Sequence, residues 1–195
     1  IAVEKDKALV EYLKEKFKNR KNVEIIERDI LKIFNFQFSI FKQITKYKII
    51  ANIPYYITSR FLRLFLSQAE LRPTLMVVMV QREVAERIVA KDSKESLLSL
   101  SVKAYGKPEI IKIVRKGNFF PPPKVDSAII KITINFGDQS SDINAEHILQ
   151  LARRAFQQKR KTLRRSLGKW VSEKYANKRP EELKLNDWIA IYLSQ

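Results

Sequence analysis

The chain has 195 residues, 45% of them hydrophobic, enough to bury a core for one domain or one domain with a small appendage. Its 38 Lys and Arg against 21 Asp and Glu leave a formal net charge of +17, which favours a polyanionic partner, nucleic acid foremost, over general lysine bias. Cysteine is absent and His147 is the single histidine, which excludes disulfide frameworks, thiolate catalysis, cysteine-ligated zinc and imidazole clusters, so no metal site is expected.

No apolar run reaches the about 18–20 residues that span a bilayer, and no leader pattern is visible, so a cytoplasmic protein is expected. The opening Ile1-Ala2-Val3-Glu4 reads as the end of a β-strand that has lost its beginning, which suggests an N-terminal truncation. Residues 7–17 place Leu9, Val10, Leu13 and Phe17 on one helical stripe, and residues 22–26 read as a strand. Residues 47–51 form a short β-rich run stopped by Asn52 and Pro54, and a helical pattern resumes over 57–66. Residues 74–80 are almost wholly apolar, the pattern of a strand covered on both faces, and 83–89 continue as a helix.

Further along, 96–105 predict a helix, 109–115 a strand, and 128–134 another strand carrying Ile129, Ile130, Ile132 and Ile134. Between those strands, Phe119-Phe120-Pro121-Pro122-Pro123 can be neither helix nor inner strand, because proline lacks the amide donor. Residues 137–141 look like a polar linker, after which the character turns helical, with a basic tract over 153–165 and a last segment over 188–193. A domain boundary is expected near residue 138. Alternating strands and helices imply an α/β, Rossmann-like fold with a mostly parallel sheet, helices on both faces and ligands at the strands' C-terminal ends.

Asn52-Ile53-Pro54-Tyr55 carries the most specific chemistry. Methylating an exocyclic adenine amine requires acceptors for its hydrogens and a fixed base plane, because the nitrogen lone pair is delocalised into the ring. The Asn52 side-chain oxygen and the Ile53 carbonyl can accept the two amine hydrogens, Pro54 stiffens the turn, and Tyr55 can stack on an extruded base. The same tetrapeptide also serves as an ordinary strand-ending turn. Residues 117–124 present Phe119 and Phe120 from a stiff backbone, either as a second stacking face or as a hydrophobic plug at the sheet's edge.

Two carboxylates stand at strand ends. Glu4 closes the first strand and suits ribose hydroxyls, two donors that match two carboxylate oxygens, while Asp29 follows the second strand; helix capping or surface charge is the competing reading. Arg153, Arg154, Lys159, Arg160, Lys161, Arg164 and Arg165 share a segment with Phe156, Leu163, Leu167 and Trp170, which lie roughly along one helical face. Such a helix would pack on one side and track phosphates on the other, with a solvated helix face as the alternative.

These residues resemble the KsgA-type small-subunit (16S) rRNA adenine N6,N6-dimethyltransferases. The carriers are residues 1–6, Asn52-Ile53-Pro54-Tyr55-Tyr56-Ile57-Thr58-Ser59, Val80-Gln81-Arg82-Glu83-Val84-Ala85, the Phe119 to Ser127 run and Phe156-Gln157-Gln158-Lys159-Arg160-Lys161-Thr162-Leu163, so the match covers essentially the whole chain. The resemblance implies an S-adenosylmethionine-dependent enzyme that dimethylates two adjacent adenosines near the 3′ end of small-subunit rRNA, in the context of ribosome biogenesis. It implies cofactor contacts at Glu4 (ribose), Lys5, Asp29 (adenine amine), Ile30 and Asn52, target-base contacts at Asn52 through Tyr55, and Phe119 as the second stacking ring. Residues 1–137 would then be the methyltransferase domain and 138–195 a helical RNA-binding domain, in a monomer whose partner is small-subunit rRNA or the assembling 30S-type subunit. The family's glycine-rich cofactor loop and basic N-terminal segment would precede Ile1, so the chain as it stands is expected to lack half of the cofactor site. Arg60 replaces a usual proline, and residues 91–98 lack the family's Gly-Arg pattern. The rivals are a macrolide-resistance-type large-subunit rRNA methyltransferase, a non-catalytic RNA-binding assembly factor and a DNA adenine methyltransferase.

Overall fold

The computed structural model describes residues 1–35, 45–134 and 145–194. The chain divides into two compact units, Ile1–Thr45 and Lys46–Gln195.

In the first unit, β1 (Ala2–Glu4) pairs in parallel with β2 (Ile25–Glu27), Val3 opposite Ile26 and Glu4 opposite Glu27. Between them runs α1 (Lys7–Phe17), which begins because Asp6, in extended conformation, accepts the Leu9 amide at 3.0 Å and satisfies one of the first turn's orphan donors. Lys14 and Lys16 in the last turn complement the helix dipole. Val10 is buried and Leu13 and Phe17 are half-buried, but Leu9 is 51% exposed, against the sequence expectation. The buried stripe is the narrow i, i+3, i+7 row Val10, Leu13, Phe17, and Leu9 lies one step round the helix from it. The strand expected over 22–26 starts later, because Arg20 N–H donates to the Phe17 carbonyl and Val23 N–H to that of Arg20, which keeps the chain turning.

The second unit contains a four-stranded sheet in the order β3-β4-β6-β5, with β3 (Lys48–Asn52), β4 (Leu75–Gln81), β5 (Gly106–Val114) and β6 (Ser127–Ile134). β3 and β4 are parallel, whereas β6 is antiparallel to both β4 and β5. Three of these four strands run in one direction, and β6 alone departs from the expected parallel sheet. Residues 115–126, with three consecutive prolines, hold no α-helix to carry a crossover, so the chain returns directly and pairs antiparallel. Pro108 is tolerated because β5 is an outer strand of the described sheet. Gly106 is required by close approach, since a Cβ there would stand 2.5 Å from the Thr133 carbonyl oxygen.

The core lies on the sheet. Met76, Val78 and Val80 of β4 and Ala128, Ile130 and Ile132 of β6 are fully buried, while the alternate β4 residues are half-buried, so one face of β4 is covered completely and the other in part. Helices α2 (Thr58–Arg63, continued by a π-turn over Leu64–Gln68), α3 (Arg82–Val89) and α4 (Leu97–Lys103) bury Phe61, Leu62, Phe65, Leu66, Ala85, Ile88, Leu100 and Val102. Ser96 caps α4 reciprocally with Ser99.

The C-terminal helices are α5 (Ala145–Phe156), α6 (Leu163–Leu167), α7 (Glu173–Ala176) and α8 (Leu185–Leu193). Their core centres on Trp188, fully buried, with its ring 6.3 Å from that of Phe156. The polar linker at 137–141 and the domain boundary near 138 lie outside the described residues. No helix among the described residues is long and apolar enough to cross a membrane.

The basic tract is not one helix. α5 ends at Phe156, the chain turns through residues 157–162, and α6 restarts at Leu163. Gln157 to Lys161 supply no apolar side chain to hold another turn against the core. Phe156, Leu163 and Leu167 are buried as expected, but Trp170 is 48% exposed. Gly168, with φ +61°, redirects the chain just before it, a conformation that costs glycine little.

Candidate active site

In the first unit, the expected cofactor residues gather at the C-terminal ends of β1 and β2. Glu4 Oε1 accepts the amides of Lys5 at 2.6 Å and Asp6 at 2.8 Å, and the Glu4 carbonyl accepts Arg28 N–H at 2.8 Å. Lys5 Nζ lies 3.6 Å from Asp29 Oδ2, and Asp29 Oδ1 accepts the Leu31 amide at 3.0 Å. Ile30 opens the 3₁₀ helix Ile30–Asn35 that follows. Parallel pairing of two short strands thus sets Glu4, Lys5, Asp29 and Ile30 at neighbouring strand ends, with the Glu4 carboxylate held by two main-chain amides and that of Asp29 by one amide and a lysine. This donor set fits an adenosine in kind: carboxylate oxygens for ribose hydroxyls and for an exocyclic amine.

In the second unit, Asn52 is the last residue of β3 and is exposed, whereas Ile53 is 7% exposed and anchors the loop in the core. Pro54 (φ −57°, ψ 135°) turns the chain into the 3₁₀ helix Tyr55–Ile57, whose Tyr55 carbonyl accepts the Thr58 hydroxyl at 3.0 Å. Tyr55 is half-buried, and its hydroxyl lies 2.6 Å from Ser127 Oγ.

Register brings the second loop to the same place. Asn52 pairs with Met79, two residues before the end of β4, and Ser127, the first residue of β6, pairs with Gln81 at that end. Residues 115–126 therefore leave the sheet at the edge where β3 delivers Asn52. Asp126 ties the base of this loop: its Oδ1 accepts Lys116 N–H at 3.0 Å, its carbonyl accepts Arg82 N–H at 3.0 Å, and its Oδ2 lies 3.8 Å from the Arg82 guanidinium. Arg82 also donates to Glu86 at 3.1 Å, and that bond, followed by one from Lys91, holds the Glu86 carboxyl below the usual carboxylate range. Phe119 is half-buried and extended, and Phe120 is fully exposed.

A family model for ribosomal RNA adenine dimethylase matches residues 1–190. The chain belongs to the ribosomal RNA adenine dimethylase family. A ribosomal RNA small subunit methyltransferase A of Dehalococcoides mccartyi is 48% identical over 86% of the chain and 57% of the relative, so the dimethylase-family chain spans little over half that protein's length. A protein of the same name from Mycoplasma capricolum is 34% identical over 98% of the chain and 77% of the relative. Among solved structures, a dimethyladenosine transferase from Plasmodium falciparum matches with TM-score 0.76 at 26% identity, covering 98% of this chain and 80% of that one. The 23S rRNA methyltransferase ErmE matches with TM-score 0.77 at 19% identity, covering 99% and 81%, a likeness that shows the fold alone. The α/β, Rossmann-like methyltransferase fold expected from sequence is thereby established.

Sequence reasoning gave no role to Ser127, Asp126 or Arg82 of this dimethylase-family chain, although all three stand in its quoted motifs. Their signal was proximity across strands, which needs the β4–β6 register. Of the seven basic residues, Arg153 is half-buried and paired with Glu146 at 2.7 Å, and Arg164 pairs with Glu173. Arg154, Lys159, Arg160, Lys161 and Arg165 are exposed and make no ion pair among the described residues.

Proposed function

We propose that the full-length protein transfers methyl groups from S-adenosylmethionine to the N6 amines of two adjacent adenosines near the 3′ end of small-subunit rRNA, within the assembling subunit. The observation that carries this reading is the Asn52 to Tyr55 loop, with an exposed amide at its head and its aromatic ring tethered to Ser127 on the edge that also launches the Phe119 loop. The relatives' printed names support small-subunit rRNA over large-subunit rRNA as the substrate.

In this reading the Asn52 side-chain oxygen and the Ile53 carbonyl accept the two amine hydrogens of the target adenine and draw its lone pair out of the ring. Tyr55 and Phe119 hold the extruded base by stacking, and Pro54 keeps the acceptors fixed. Within the first unit, Glu4 takes the ribose of the cofactor and Asp29 its adenine amine, with Lys5 and Ile30 completing the contacts. When bound, S-adenosylmethionine supplies an electrophilic methyl on a sulfonium sulfur, so the protein's part is positioning and desolvation, without a covalent enzyme intermediate. Arg154, Lys159, Arg160, Lys161 and Arg165 supply sequence-independent phosphate contacts, with lesser parts for the paired Arg153 and Arg164.

The test supplies the full-length protein with labelled cofactor and oligonucleotides from each ribosomal subunit's rRNA. Dimethyladenosine in the small-subunit RNA is expected. Product in large-subunit RNA alone would overturn the substrate assignment, and tight RNA binding with no transfer would leave an assembly factor without chemistry.

A further inference from the structure

Phe120 is the most exposed large hydrophobic side chain described, at 101% relative exposure. One exposed apolar residue is ordinary on a protein surface, so its meaning depends on its setting. Three features distinguish this one.

First, the ring is held on a stiff stem. Pro121, Pro122 and Pro123 follow it directly, and Asp126 fastens the loop through Lys116 N–H and Arg82 N–H, so presenting the ring to a partner costs little further ordering. Second, Phe119 is extended (φ −117°, ψ 151°), and successive side chains of an extended backbone point to opposite sides. Phe119 is half-buried and Phe120 is fully exposed to solvent, so the two rings have different surroundings. Third, the flanking side chains are cationic: Arg115, Lys116 and Lys124 are exposed and make no ion pair among the described residues. An aromatic face set among cations on a rigid stem is the arrangement that binds unpaired nucleotides, the base stacking while the phosphates are neutralised.

We propose that Phe120 is a stacking platform for the base of the nucleotide adjacent to the target adenosine. This inference rests on the reading of Phe119 as a ring that holds the target. Extruding one base removes a stacking partner from its neighbour, and Phe120, one residue along the backbone and facing outward, replaces that partner. Phe120 thereby favours RNA whose target is flanked by an unpaired base with a large π-face, which makes it a residue that sets sequence context.

The test measures binding and single-turnover methylation by the full-length protein and its Phe120→Ala and Phe120→Trp variants. One RNA oligonucleotide carries the target adenosine with a purine neighbour, and a second carries an abasic neighbour. Phe120→Ala is expected to weaken binding of the first about tenfold, the scale of one lost base–aromatic stack, and to leave binding of the abasic RNA within about twofold of the parent. Phe120→Trp is expected to restore the difference. Unchanged thermal unfolding of the variants, expected for a fully exposed side chain, excludes a folding defect. Equal affinity of the parent and Phe120→Ala for the purine-flanked RNA would overturn the proposal while leaving the transfer reaction intact. The converse, a neighbour-dependent Phe120 effect in a protein that transfers no methyl group, would retain the platform and remove the enzymatic reading.

Discussion

The hydroxyls of Tyr55 and Ser127 lie 2.6 Å apart and join the loop after β3 to the first residue of β6. Ser127 is fully buried, so its removal leaves the Tyr55 hydroxyl without its partner in a half-buried place. Ser127→Ala is expected to cost about 1–3 kcal/mol in chemical denaturation. Removing the Tyr55 hydroxyl as well, in the Tyr55→Phe, Ser127→Ala double variant, is expected to cost less than the sum of the two single changes. Strict additivity would show that the pair is not coupled. Methyl transfer by Ser127→Ala should fall through kcat, because the Tyr55 ring, proposed above to hold the base, loses its fixed orientation.

Asn52 is exposed at the end of β3, and the proposed function gives it a chemical rather than a packing role. Asn52→Ala in the full-length protein is expected to abolish transfer while RNA affinity stays within about twofold, since phosphate contacts dominate affinity. A parallel loss of binding, measured by filter retention, would contradict that assignment.

The five exposed cations without ion pairs among the described residues should govern the salt dependence of RNA binding. Arg160→Gln is expected to reduce the slope of log affinity against log salt by about 0.7–0.9, the yield of one phosphate contact. Arg164→Gln should change it less, because Glu173 already compensates that charge. Equal slopes for the two variants would argue against a phosphate contact at Arg160.

Glu95 is buried, its Oε1 2.5 Å from Lys103 Nζ, and its amide donates to the Glu181 carbonyl at 2.8 Å. Among the described residues Glu95 Oε2 has no hydrogen-bond partner and Lys103 is the cation paired with the carboxylate. Lys103→Met is expected to destabilise the fold by about 3–5 kcal/mol, read from denaturant unfolding, by leaving that charge uncompensated. Adding Glu95→Gln should recover part of the loss.

Tyr47 donates its hydroxyl to the Leu71 carbonyl at 2.8 Å, and burial pushes its phenol from the ordinary 10 up to about 12. The folded state thus prefers the neutral phenol, and the resulting stability is complete below pH 10 and is lost as pH rises toward 12. Tyr47→Phe is expected to flatten the stability profile across that window, measured by denaturation at stepped pH. An unchanged profile would mean that Tyr47 ionises as it does in the unfolded chain.

Local rules made most elements legible. The helix over Lys7–Phe17 was readable from its apolar spacing, and the strands around Asn52, β4 and β6 from apolar, β-rich runs. The Asn52-Ile53-Pro54-Tyr55 loop was readable as a strand-ending turn because its breakers are adjacent in the chain. What sequence could not supply was every relationship that depends on strand register or chain reversal. The break of the basic tract after Phe156, the exposure of Leu9 and Trp170 and the capture of Arg164 by Glu173 follow from local turns and helix geometry that hydrophobic spacing does not resolve, whereas the antiparallel return of β6 depends on pairing between distant residues. The same holds for Tyr55 and Ser127, 72 residues apart in sequence. The sequence by itself determined which side chains are equipped for the proposed chemistry, because residue type fixes what each can accept, donate or stack. Tertiary structure decided which of them meet, because a pairing register is a property of two strands and is written in neither one alone.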